Sequence, residues 1–310
     1  MARRREQGDG YFPRSSSMLR RVHDEHLVGL LYGQRALCIG ALAPLNYVGT
    51  SEHSAAKLTP FKRLAHTGKA FETIYFGTRA EADEVLASVR RLHERVNGAL
   101  PEDAGVFRAG TPYSAFDPAL MLWTVAVIAD SAQCFYELLV RTLTGREREA
   151  LWQDYIRFGE LFGMPREAAP QSYDDFRAYW REKLASDEMF LTEEARNVGY
   201  ATAFEIPMPL VQQPGKRVHD LLMLGSLPQR VRELYGLSFT RRESWAFDVA
   251  VRTIRAARAL IPGPLARGWN TKAFEGVART ERWRIEHGKP TPQVRDDGPV
   301  GFKRLPVADP

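Results

Sequence analysis

The sequence predicts an all-α protein, on three observations. Helix start and stop residues recur along the chain, while alternating apolar and polar runs of strand type are nearly absent. No glycine-rich loop joins a strand pattern to a helix, which excludes the nucleotide-binding α/β classes. The segment that follows Asp117-Pro118 is apolar all round as far as Asp130, the pattern of a central helix buried on every side.

The elements follow in order. Thr59 as N-cap and Pro60 at the first helical position open a helix over Pro60–Phe76, which Gly77 stops. A second helix runs over Glu81–Asn97 to Gly98. Asp117-Pro118 opens the central helix, which extends to Thr144 with Gly145 closing it. Arg146–Phe162 follows, with Gly163 behind it. Ser172 and Asp175 make a capping box for Tyr173–Ala185, and Thr240 and Glu243 make another for a helix that Pro262 ends near Ile261. Ala203–Pro214, with Pro207, Pro209 and Pro214, reads as an extended loop. These elements form a single all-α domain over residues 18–287, between a flexible basic leader at 1–17 and a flexible tail, rich in proline and glycine, at 288–310.

Composition bounds the function. Of 310 residues 44% are hydrophobic and 26% charged, so the chain can bury a large core and is not disordered. Lys and Arg outnumber Asp and Glu by 43 to 38, with much of the excess in the leader (Arg3, Arg4, Arg5, Arg14), so no nucleic-acid partner is expected. Cys38 and Cys134 sit in apolar helical patterns without metal-type spacing, as buried free thiols of a reducing compartment do. The run Arg3–Arg5 has no apolar stretch behind it and gives no export signal. Leu27–Leu45 is interrupted by Gln34-Arg35, and Ala119–Ala129 is shorter than the ~20 residues a membrane span needs. A cytoplasmic protein with no integral membrane segment is expected. Neither a G-x-S-x-G elbow nor a P-loop is present, which excludes two common hydrolase classes.

Candidate chemistry gathers on two consecutive helices. At 100° per residue, Ala82, Val85, Leu86, Val89, Leu92, His93 and Val96 share an arc of about 120°. His93 therefore points inward, either as a core histidine bonded to a backbone carbonyl or as an axial ligand in an apolar slot. Arg63 and Thr67 lie about 40° apart on the preceding helix, on a stripe continuing to Ala70 and Ile74. Arg63 can pair with an acid at the rim or bind a propionate or substrate carboxylate, and Thr67 can face a ligand or bond its own i−4 carbonyl. His66 falls on the polar side with Lys62, Lys69 and Thr73, where it could serve only as a proton donor at a pocket edge. His23 and His26 read as a solvated helix face. Zinc and di-iron spacings are missing.

Taken in order, His53-Ser54, Pro60-x-x-Arg63-Leu64-x-x-Thr67, Phe76-Gly77, His93-x-x-Val96-x-Gly98, Tyr113-x-Ala115-x-Asp117-Pro118 and Trp123 form a recognisable series. Leu224-Gly-Ser-Leu-Pro228, Arg232 and Tyr235-Gly236-Leu237 extend it, so that it spans about residues 25 to 262. With these motifs the chain resembles the family that joins the rubber oxygenases (latex-clearing proteins) to the MpaB-type oxygenases. The resemblance implies a globin-like helical bundle, with additional helices, around one haem b. His93 matches the proximal axial histidine that binds the iron, and Arg63 and Thr67 match pocket residues of the preceding helix. It implies a haem-dependent oxygenase that uses dioxygen, and an electron donor, on a hydrophobic isoprenoid or other alkene-containing substrate, with C=C cleavage. A haem peroxygenase or tailoring oxidase acting on an aromatic or polyketide, and a non-enzymatic haem sensor or carrier, are the alternatives. Two departures stand out. Ala43-Pro44 replaces a frequent His-Pro pair, and His66 stands where the rubber oxygenases carry a lysine, so no distal lysine switch carries over.

Overall fold

Prolines, cap residues and apolar stripes divide the chain into short N-terminal helices, a long central hairpin system and a helical C-terminal half. The computed structural model describes residues 10–52 and 59–289, together with the backbone of 293–295 and 298–301. Its helices are α1 (Met18–Asp24), α2 (His26–Gly29), α3 (Tyr32–Gly40), α4 (Pro44–Glu52), α5 (Pro60–Phe76) and α6 (Arg79–His93). A two-stranded hairpin, β1 (Asn97–Ala99) and β2 (Pro112–Ser114), leads to α7 (Pro118–Leu139), α8 (Gly145–Leu161), α9 (Tyr173–Ala185) and α10 (Glu193–Phe204). Then come α11 (Gln213–Ser226), α12 (Gln229–Tyr235), α13 (Arg241–Leu260), α14 (Gly263–Ala266) and α15 (Thr271–Glu286), followed by the strand pair β3 (Gln293–Arg295) and β4 (Gly298–Gly301). The fold is all-α.

Helix α7 is the axis of the core. Asp117 accepts from the Ala119 and Leu120 N–H groups at its start, and most of its side chains are buried against α2, α3, α8 and α13. Trp123, Phe135, Trp152, Tyr155 and Phe176 are fully buried around it. By length and composition alone α7 could cross a membrane, as could the pair His26–Gly40 and Pro44–Ser51 bent by 111°. The 22-residue helix is thus longer than the apolar segment read from the sequence, but 78% of its apolar window is covered by the rest of the protein.

Several sequence expectations change. Helix α6 stops at His93 and not Asn97, because Asn97–Ala99 pairs antiparallel with Pro112–Ser114, a long-range contact without local alternation. Helix α7 stops at Leu139, and Gly145 opens α8 instead of closing α7. Thr144 and Glu147 form the capping box there, and Arg141 beside Glu147 helps hold that carboxyl down at about 2. The loop expected over Ala203–Pro214 is shorter, since α10 runs to Phe204 and Pro214 lies in the first turn of α11, where its missing N–H is harmless. The packed chain also begins before Met18. Phe12 is fully buried, and Ser17 caps α1 while its hydroxyl donates to Asp154 Oδ2 at 2.9 Å. Only residues 1–9 of the expected leader, and most of the expected tail, lie outside the described residues.

His23 and His26 do not share a solvated face, because Glu25 is extended (φ −73°, ψ 118°) and separates α1 from α2. His23 is buried, with Nε2 2.7 Å from Tyr155 Oη and its ring stacked on Tyr75 at 4.4 Å. Burial drives its pKa down to about 3 from 6.5. The unfolded chain therefore binds more protons between those values, so this contribution to stability is lost as pH falls through that window, by up to about 1.4 kcal/mol per pH unit. His23→Phe, which keeps the ring, is expected to flatten the fall of Tm between pH 6 and 4. A wild-type slope in the variant would assign that acid sensitivity to other groups.

Candidate functional site

Helices α5 and α6 leave one tight turn at Gly77-Thr78 and run antiparallel, with Thr78 and Glu81 forming the capping box that starts α6. At 1.5 Å per residue, Arg63 and His93 stand about 21 and 22 Å from that turn, and Thr67 one turn closer. The three thus occupy the open ends of one hairpin. They make no hydrogen bond or ring contact with one another.

His93 is the last residue of α6. The inward row is Ala82, Val85, Leu86, Val89, His93 and Val96, whereas Leu92, placed on the same arc by the sequence, is 45% exposed. The His93 ring is half-buried, 6.1 Å from Phe116 in an edge contact and 6.4 Å from Phe162. Burial lowers its pKa, so the imidazole is neutral at pH 7. Among the described residues it has no hydrogen-bond or ion-pair partner, so the backbone-bonded core histidine is not what the fold contains. Its nitrogens are available to a ligand.

Across the hairpin, Arg63 is half-buried where α4, α5 and α15 meet. Desolvation lowers its pKa, against the pull of Tyr47 and of the Glu281 carboxylate. Glu281 is itself fully buried and accepts from the Thr59 hydroxyl, and burial raises its pKa. Thr67 is exposed, and its hydroxyl is not spent on the carbonyl one turn back, unlike Thr73, which donates to Lys69 O at 2.9 Å. His66 lies with Lys62 and Lys69 on the exposed side of α5. His53 and Ser54 lie outside the described residues.

A cluster of aromatic rings joins the inner face of α5 to His93. Phe71 of α5 meets Phe158 at 5.3 Å and Phe162 at 6.2 Å, so a continuous apolar floor joins α5, α8 and the His93 ring. Phe162 can cap α8 there because Gly163 takes φ +100°, turning the chain away. No local pattern marks Phe116 and Phe162 as neighbours of His93, since one lies in the segment before α7 and the other caps the end of α8, 23 and 69 positions further along the chain. At the far end, Gly98 lies under Tyr113; a Cβ at Gly98 would stand 2.7 Å from Tyr113 Oη. This accounts physically for the pairing of two motif residues, Gly98 and Tyr113.

Among the described residues no three His, Cys, Asp or Glu side chains gather as a metal cluster. A neutral, unpartnered imidazole against aromatic rings fits a group that brings its other metal ligands with it, as haem does, with His93 as its protein ligand. Arg63 fits a carboxylate at the edge of such a group.

Residues 20–256 match the family described as "ER-bound oxygenase mpaB/B'/Rubber oxygenase, catalytic domain". The chain is also 24% identical over 230 residues to the uncharacterized proteins Mb2261 of Mycobacterium bovis and Rv2237 of Mycobacterium tuberculosis, covering 74% of this chain and 86% of each of theirs. No solved structure matches it significantly. Arg63, Thr67 and His93 all fall within the matched span.

Proposed function

This chain belongs to the mpaB/rubber oxygenase catalytic-domain family, and on that premise we propose that it is a haem b-dependent oxygenase that uses dioxygen to oxidise, and cleave at C=C, a hydrophobic isoprenoid or related alkene. Family membership supports the oxygenase class, with dioxygen and an organic substrate as partners. The observation that carries the finer reading is the unpartnered, neutral imidazole of His93 at the open end of the α5–α6 hairpin.

Haem, when bound, would supply the binding and activation of dioxygen. His93 would hold the iron from α6. Arg63 would pair with a propionate or a substrate carboxylate, and its partial burial strengthens such a pair relative to one in open water. The Thr67 hydroxyl, free of its own helix, would donate to an oxygen placed above α5. Phe71, Phe116, Phe158 and Phe162 would exclude water and favour an apolar substrate. His66, on the outer side, would at most pass a proton at the edge. A cytoplasmic setting is part of the proposal, supported by two free thiols, with burial pushing Cys38 up to about 12.

The test is oxygen uptake by the full-length holoprotein with a reductant and a short polyprenyl alkene, with carbonyl products trapped by a hydrazine. Uptake and carbonyl formation are expected with the alkene and not with its saturated analogue; uptake indifferent to the double bond would overturn the reading. Arg63→Ala and Thr67→Ala are expected to fold normally yet lower turnover about tenfold or more, the scale of one lost hydrogen bond to a charged group, at ~1.5–3 kcal/mol. His66→Ala is expected to change it far less. Wild-type turnover in both Arg63→Ala and Thr67→Ala would return this stripe to ordinary packing.

A further inference from the structure

On the side of α7 formed by its C-terminal half, α9 and the start of α12 enclose a cleft of about 880 Å³ that shares no lining residue with the His93 hairpin. Five guanidinium groups line it against two carboxylates, Asp130 and Glu137. The charges do not cancel. Arg148 takes Glu137 at 2.8 Å, while Asp130 is shared, with Arg35 Nη1 at 2.8 Å on one oxygen and Arg177 Nη1 at 2.6 Å on the other.

Arg35 is 3% exposed. Its Nε donates to Ser226 O and its Nη1 to Asp130 and Ser131, but Nη2 donates to no described residue. A buried guanidinium with half a carboxylate and a free terminal nitrogen is a cation awaiting a further acceptor. At the mouth, Arg181 lies one turn beyond Arg177 on α9 and has no acidic partner among the described residues, and Arg230 reaches Glu233 only at 4.0 Å. The rest of the lining mixes the polar Gln133, Tyr173 and Ser226 with apolar side chains. Trp180, 3% exposed and stacked on Trp123 at 5.5 Å, lies behind the lining, with Leu184 and the half-buried Pro228 beside it.

We propose that this cleft binds a small amphipathic organic anion, a carboxylate or phosphate ester on a flat apolar body. Its oxyanion would lie between Arg35, Arg177 and Arg181, and its apolar body against Pro228 and Ala185, in front of the buried Trp180. Guanidinium forks match planar or tetrahedral oxyanions by paired hydrogen bonds, and an excess of positive charge in a partly desolvated cleft attracts them selectively. This site does not rest on the haem reading, since none of its residues belongs to the hairpin.

Isothermal titration of the full-length holoprotein with 1-naphthyl phosphate, 1-naphthoate and neutral 1-naphthol tests the assignment. One site per chain is expected for both anions, weakening as salt rises, with naphthol at least tenfold weaker. Arg181→Glu combined with Arg230→Glu, both exposed positions, is expected to weaken the anions at least tenfold while circular dichroism and Tm stay unchanged. Arg63→Ala is expected to leave the binding intact. Equal affinity in the double variant, equal affinity for naphthol, loss of binding in Arg63→Ala, or no binding of either anion would each overturn it.

Discussion

Replacing His93 by alanine is expected to give a soluble, helical protein that purifies with little or no haem and shows no oxygenase activity. The residue ends α6, and its half-buried side chain makes no hydrogen bond within the described chain, so truncation removes only ring contacts with Phe116 and Phe162. The cost to the fold is about 1 kcal/mol. No C-x-x-C-H attachment motif occurs in the sequence, so the proposed haem would be held by the imidazole, by apolar contact and by carboxylate pairing at Arg63. Loss of the imidazole would remove the strongest of these. Added imidazole is expected to restore part of the absorbance by entering the vacated space. A variant that retains stoichiometric haem with an unchanged Soret position would move the iron ligand to another residue.

The largest loss of stability is expected from Glu25→Ala. Glu25 is 1% exposed and accepts two hydrogen bonds from Arg258, at 2.6 and 2.7 Å, and one from Arg267 at 2.8 Å. It thereby ties the start of the chain to α13 and the end of α14, across more than 230 positions of sequence. Arg258, 11% exposed, would be left without its carboxylate. Breaking one side of such a buried pair costs about 3–5 kcal/mol, which lowers Tm by on the order of 10 °C in a chain of this size. Glu25→Leu with Arg258→Met, which removes both charges, is expected to recover much of that loss. A Glu25→Ala protein melting within about 2 °C of wild type would show that water replaces the carboxylate freely, and that the pair is held only weakly.

What the sequence revealed follows the range of the interactions concerned. Asp117, Ser172 and Thr240 mark their helices correctly, because an N-cap bond spans two or three residues and leaves its signature in place, whereas α5 is marked by Pro60 in its first turn, the Thr59 hydroxyl being given to Glu281 and not to the helix. Gly145 was ambiguous because a glycine after Thr144 suits both a helix end and a capped helix start, and Glu147 decides for the start. The β1–β2 hairpin and the burial of His23 depend on partners far along the chain, Ser114 for the one and Tyr155 for the other, so no local pattern carried them. At the candidate site, helical angles and the family resemblance together pointed to Arg63, Thr67 and His93. The aromatic floor and the arginine-lined cleft depend on packing between elements far apart in the chain, Phe71 of α5 on Phe158 of α8 for the one, and Arg35 of α3 on Asp130 of α7 and Asp130 on Arg177 of α9 for the other.

The haem content of the purified wild-type protein decides the proposal that His93 holds an iron. The full-length chain, expressed with haem supply and assayed as its pyridine haemochrome, is expected to carry one haem b per chain with a Soret band of imidazole-ligated iron. A colourless protein that folds as a helical monomer or oligomer, yet takes up no added haemin under reducing or oxidising conditions, would contradict it.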